Sequence, residues 1–205
     1  MRSTDTHIIA RARQVIFALC SSLSLSAQVT DRELFDAYQR EDMTLWKAYL
    51  DSLTLNPLTT NTLNSILYEY GYCGYVLEYD KPHATPYISR FRAHVQAQRE
   101  NLPLGHYEMY MSAVYVYELR SKISIHPLKA MSLAKEATKL APSDPLVLSY
   151  YGTCLFYAPK PFGSKQEALE WFERAEQLFH APQWKDCWVR AANTMYIGQC
   201  KEKLK

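Results

Sequence analysis

The sequence predicts an all-α protein of about eight helices. Apolar residues from Thr30 onward recur at helical spacing in segments of roughly 12 to 20 residues. The breaks between these segments are short and marked by proline or by capping residues. No segment sustains an apolar/polar alternation bounded by hairpin turns, and only 6 glycines and 10 prolines occur in 205 residues. A composition that is 48% hydrophobic, 21% charged and 13% aromatic excludes a disordered chain and supplies one sizeable core.

Residues 1–27 read as an address. Arg2, Arg11 and Arg13 precede the apolar stretch Val15–Leu25, and Ser26-Ala27-Gln28 follows it. This is the order of a secretory signal peptide, with cleavage after Ser26 or Ala27. The stretch falls short of the roughly 18 apolar residues a membrane span needs. Cleavage removes three of the 23 basic and one of the 21 acidic residues. A mature chain 28–205 with 20 of each offers no basic face for nucleic acid. The expected location is the periplasm or the exterior.

The helices follow in order. Thr30-Asp-Arg-Glu33 is a capping box opening a helix that Asn56-Pro57 ends. A second helix spans about 60–79, with Tyr68, Tyr72, Tyr75 and Tyr79 on one face, expected in an inter-helix core. Tyr70, off that stripe, is expected to be exposed. Thr85-Pro86 starts a third helix, Pro103 a fourth and Pro127 a fifth. Asp144-Pro145 caps a sixth, and Ser164-Lys-Gln-Glu167 is a second capping box for the seventh, ending near His180. The last runs from about Trp184 to the C-terminus.

Side chains with chemical potential are sparse. The six histidines are scattered, with no pair at i, i+4, and no metal or other cofactor is expected. His106-x-Glu108 reads as a helix start with an acidic first turn. Cys73, Cys154, Cys187 and Cys200 are expected as buried free thiols. A continuous last helix would hold Cys187 and Cys200 about 20 Å apart, beyond disulfide reach. No Walker lysine, nucleophile elbow or paired carboxylates appear, so a non-catalytic protein is expected. Pro159-Lys-Pro-Phe-Gly-Ser164 reads as a stiff connector with Phe162 tucked inward.

An internal repeat is more informative. Ala130, Ala134 and Ala137 correspond to Ala168, Phe172 and Ala175 at an offset of 38 residues. Tyr151-Gly152 and Ile197-Gly198 place an apolar residue and a glycine mid-helix, with Tyr70-Gly71 a weaker instance. Each glycine costs about 1 kcal/mol against alanine, for which close packing is the expected compensation.

These features resemble the tetratricopeptide repeat, a helix–turn–helix unit with small and aromatic landmarks. The clearest units are about 111–144 and 145–180, with 184–205 as a capping helix. Tyr70-Gly-Tyr-Cys-Gly-Tyr75, His126-Pro-Leu-Lys-Ala130 and Tyr157-Ala-Pro-Lys-Pro-Phe-Gly163 are similar to exported tetratricopeptide-like proteins of the Bacteroidota. The resemblance implies an α-solenoid whose first helices of each pair line a groove. It places Tyr115, Lys122, Ser149, Thr153, Phe156, Met195 and Gln199 toward that groove. The implied function is a periplasmic scaffold or adaptor binding a protein or peptide. The alternative is a periplasmic small-molecule binder associated with a solute transporter, which an internal tyrosine-framed pocket would favour.

Overall fold

Side-chain caps set several of the helix boundaries in the computed structural model, which describes residues 29–55, 62–122 and 127–205. The segment read as a signal peptide, and the Asn56-Pro57 stop, lie outside the described residues. Among the described residues there are nine α-helices and no strand. The chain divides into two units, 1–61 and 62–205.

In the first unit α1 spans Asp31–Gln39 and α2 spans Thr44–Leu55. The expected capping box is present: Glu33 N–H donates to Thr30 Oγ1, and Thr30 N–H donates to Glu33 Oε2 at 2.8 Å. The single helix read over this stretch is broken at 40–43. Glu41 adopts φ 57°, and Asp42 Oδ1 accepts from Thr44 N–H at 3.0 Å, starting a new helix. No glycine or proline advertises that turn. Trp46, fully buried, donates from Nε1 to the Leu34 carbonyl at 2.7 Å and ties α2 to α1.

The second unit holds α3 (Thr62–Tyr79), α4 (Ala84–Ala97), α5 (His106–Arg120), α6 (Pro127–Leu140), α7 (Pro145–Tyr157), α8 (Lys165–Phe179) and α9 (Trp188–Lys203). Asp144 Oδ1 caps α7 through the N–H groups of Leu146 and Val147, and Ser164 Oγ caps α8 through Glu167 N–H. The last helix begins four residues later than Trp184. Pro182–Trp184 form a 3-10 turn, and Cys187 is an extended N-cap rather than a helical residue.

Each helix from α3 to α9 packs on the next, and α3 also packs on α5, α5 on α7 and α7 on α9. Burial follows this pattern. α5 and α7 are buried on nearly every side, whereas α4, α6 and α8 bury one stripe each. The stripes are Ala84, Ile88, Phe91 and Val95 on α4, Ala130, Ala134 and Ala137 on α6, and Ala168, Phe172, Ala175 and Phe179 on α8. Two hydrogen bonds join residues at the 38-residue offset of the alanine pattern. They are His106 with Asp144 at 2.9 Å and Ser112 with Tyr150 at 2.8 Å.

Charge pairs tie the earlier helices together. Glu69, nearly buried on α3, takes Arg90 at 3.1 Å and His94 at 3.0 Å, both from α4. Arg92 of α4 makes a two-pronged bond to Glu118 of α5 at 2.6 and 2.7 Å. The four cysteines among the described residues are free. Cys73 and Cys200 are buried and the other two half-buried. Burial pushes the Cys154 thiol up to about 11.

The two repeat glycines have opposite surroundings. A Cβ on Gly152 would lie 2.8 Å from the Phe172 ring, so the ring packs where any side chain would stand. A Cβ on Gly198 would meet nothing within 4 Å, and close packing does not explain that residue. Overpacking in a filled core costs about 1–3 kcal/mol, whereas alanine for glycine in an open helix gains up to about 1 kcal/mol. Gly152→Ala is therefore expected to destabilise and Gly198→Ala to stabilise, with urea unfolding of the two variants as the measurement.

Candidate functional site

The interior between α3, α5, α7 and α9 is filled by rings. Tyr70, expected outside, is half-buried at their centre. Its ring lies 6.0 Å from Tyr117, 6.1 Å from Tyr110, 5.9 Å from Tyr150 and 5.6 Å from Trp188. Phe91 of α4 completes the cluster at 6.4 Å, and Tyr117 donates its hydroxyl to the Tyr70 carbonyl at 2.9 Å. Burial drives the phenols of Tyr117 and Tyr150 well above the ordinary range, so they stay protonated. Of the tyrosine stripe, Tyr68 and Tyr72 are buried as expected, but Tyr79 is 73% exposed.

An accessible surface of different character lies where α7, the 158–164 loop and α9 meet. Its floor is Phe156, buried on α7, whose ring stands 5.0 Å from Tyr157 and 5.3 Å from Tyr196 of α9. Tyr157 and Tyr196 approach hydroxyl to hydroxyl at 3.3 Å. Two lysines cover the same floor. Lys165 Nζ lies 3.7 Å and Lys203 Nζ 4.9 Å from the Phe156 ring centroid. Lys165 also donates to the Phe156 carbonyl, one of the free carbonyls at the end of α7. Neither lysine meets a carboxylate among the described residues, although Lys201 reaches Glu173 at 2.9 Å. Burial, and then the nearby Lys203 charge, hold the Lys165 ammonium below the usual lysine range.

Exposed apolar groups belong to the same segments: Tyr157 is 67% exposed, Phe162 58%, Met195 48% and Leu204 45%. Phe162 thus points outward, contrary to the sequence expectation. The residue that tucks in is Gly163, where a Cβ would lie 2.4 Å from the Leu155 carbonyl oxygen.

The residues expected to line a groove divide into three groups. Phe156 is the floor of this surface, and Thr153 lies one turn earlier on α7, its hydroxyl spent on the Ser149 carbonyl at 3.0 Å. Gln199 sits on the α9 stripe between Tyr196 and Lys203, and Met195 is exposed beside that stripe. Ser149 is buried. Tyr115 and Lys122 are elsewhere. Tyr115 of α5 sits between Arg92 of α4 at 5.1 Å and Lys129 of α6 at 4.7 Å. Its phenol is held below the ordinary range, chiefly by hydrogen bonding to Lys129, with Arg92 assisting against the opposing effect of burial. Lys122 is exposed in the turn after α5, at φ 64°. Lys165, Lys203 and Tyr196 were not singled out for the groove from sequence, and Tyr157 entered only as the first residue of the 157–163 motif. The 39-residue separation of Tyr157 and Tyr196, close to the repeat offset, was the available signal.

A separate shallow cleft of about 540 Å³ opens at the inter-helix turns, lined by Leu104, Pro142, Asp144, Leu178, Gln183 and Trp184 among others. Asp144 there is already engaged as the α7 cap and by His106. Among the described residues no cluster of histidine, cysteine or carboxylate side chains could hold a metal ion, and no helix is long and apolar enough to cross a membrane.

No family model, curated protein or solved structure matches the chain. The lysine pair makes a direct prediction. Lys203→Met removes a like charge, so the Lys165 ammonium is expected to titrate closer to the ordinary value of about 10.4. NMR of isotopically methylated lysines reads that shift; an unmoved Lys165 resonance would show that the two charges do not sense each other.

Proposed function

We propose that the chain is exported and that residues 62–205 form a tetratricopeptide-like solenoid binding a protein or peptide. The observation that carries this reading is an aromatic and cationic surface on which Tyr157, Phe162, Met195 and Lys203 are exposed and Lys165 and Tyr196 half-buried. Exposed rings and sulfur beside unneutralised charge are the composition of a contact surface, whose energy concentrates in a few aromatic anchors. The solenoid reading is supported by the packing of odd-numbered helices on one another and by the 38-residue correspondence of the stripes on α6 and α8.

The filled interior weighs against the small-molecule alternative. A tyrosine-framed ligand chamber needs space where Tyr70 now stands among Tyr110, Tyr117, Tyr150 and Trp188. The cleft at the inter-helix turns is open and shallow, whereas a small-molecule site encloses most of its ligand.

A photo-crosslinking residue at Met195 is expected to join the chain to a second polypeptide in the native compartment. The same residue at Glu136, exposed on α6, is expected to give no such product. Recovery of a metabolite adduct without a protein at Met195 would reverse the reading. Mass spectrometry of the exported chain is expected to find Ala27 or Gln28 at its N-terminus, and an intact Met1 start would refute export.

A further inference from the structure

Most basic side chains of the described residues that approach another helix end on a carboxylate. Arg90 meets Glu69, Arg92 meets Glu118, Arg120 meets Glu78 and Lys201 meets Glu173. Lys165 and Lys203 do not. They converge from α8 and α9 on one phenylalanine ring, and the negative groups that receive them are only partial charges: the ring face and the Phe156 carbonyl. Two like charges held at one place with only partial compensation form a receptor for a full negative charge.

The neighbouring side chains narrow its identity. The rim is aromatic and exposed at Tyr157, with Tyr196 alongside, so the ligand carries apolar groups next to its negative charges. Two lysines fall short of the four to eight basic residues that mark recognition of an anionic membrane. A nucleic acid would need a longer basic track, and Glu173 already occupies Lys201 beside the pair. The fitting occupant is an acidic stretch of protein with apolar residues between its carboxylates.

Resting on the scaffold reading, we infer that Lys165 and Lys203 are the docking point for an acidic segment of a partner protein. Two side-chain carboxylates take the ammonium groups, and an adjacent apolar side chain lies against Tyr157. The carboxylates belong to the interior of the segment, because a lone terminal carboxylate would neutralise only half of the pair.

The test uses the full chain and a fluorescein-labelled peptide of about ten residues, acetylated and amidated, alternating glutamate pairs with leucine and phenylalanine. Saturable binding that weakens by about tenfold between low and physiological salt is expected, because salt screens charges that solvent reaches. Lys165→Met and Lys203→Met keep the apolar stem over Phe156, and each is expected to weaken binding by about tenfold. Lys165→Arg and Lys203→Arg keep the charge and are expected to retain most of the affinity. Thermal unfolding of each variant separates lost binding from lost fold, and the arginine variants keep the test decisive if a methionine variant unfolds. A peptide with glutamine for glutamate is expected not to bind.

Absence of saturable binding at about 1 mM peptide, a concentration at which even weak recognition registers, overturns the inference. So does unchanged affinity in the doubly substituted chain, binding that requires a free terminal carboxylate, or lysine-dependent binding of phosphatidylserine vesicles but not of the peptide. If the peptide fails while Met195 still crosslinks to a protein, the docking point is wrong and the scaffold reading stands. If both fail, both are wrong.

Discussion

Three helices of the C-terminal half meet at Phe172. Its ring occupies the space where a side chain on Gly152 of α7 would be, and Tyr196 of α9 stacks on it at 5.3 Å and 7°. Its carbonyl accepts from the buried Asn193 amide at 3.0 Å. Ala168 and Ala175, one turn on either side, keep α8 close enough for all three contacts. The proposed contact surface inherits its geometry from this joint. Phe172 fixes Tyr196, and Tyr196 closes on Phe156 and Tyr157. Lys165 and Lys203 then lie over the Phe156 ring.

Charge is distributed along the second unit in two regimes. Between α3, α4 and α5 the ionic groups are partnered across helices, through Glu69 with Arg90 and His94 and through Arg92 with Glu118. Such pairs fix register, since losing one partner leaves the other partly buried charge without compensation. At the α7–α9 end Lys201 and Arg190 also meet carboxylates of α8, but Lys165 and Lys203 rest on an aromatic ring and, for Lys165, a helix-terminal carbonyl. Two cations at that end are thus left without a carboxylate among the described residues, whereas their neighbours are paired.

Much of the fold was legible because its punctuation is local. Pro127 opens its helix as a first-turn proline, Asp144 and Ser164 start theirs through contacts within three residues, and the Ala168, Phe172, Ala175 triplet announces its own burial by spacing. The break at 40–43 was hidden because Glu41 enters the left-handed region without glycine, and the cap that follows is one aspartate within a polar run. Gly198 misled because a glycine looks the same in sequence whether a ring or solvent faces it. Tyr70 could not be placed from its own helix, since its neighbours come from four others. The lysine pair was invisible for a similar reason. Its members are 38 residues apart in sequence and are related only by the phenylalanine between them in space.

Tyr70 also bears on how the molecule comes apart. A stack of helix pairs touching only nearest neighbours behaves as a one-dimensional chain and frays from its ends. Here one ring on α3 contacts α4, α5, α7 and α9 together. Peeling α9 away uncovers Trp188 and opens the cluster that also holds the first helix of the unit. The loss of a terminal helix is thereby felt across the whole array, and residues 62–205 are built to melt in one cooperative step rather than turn by turn.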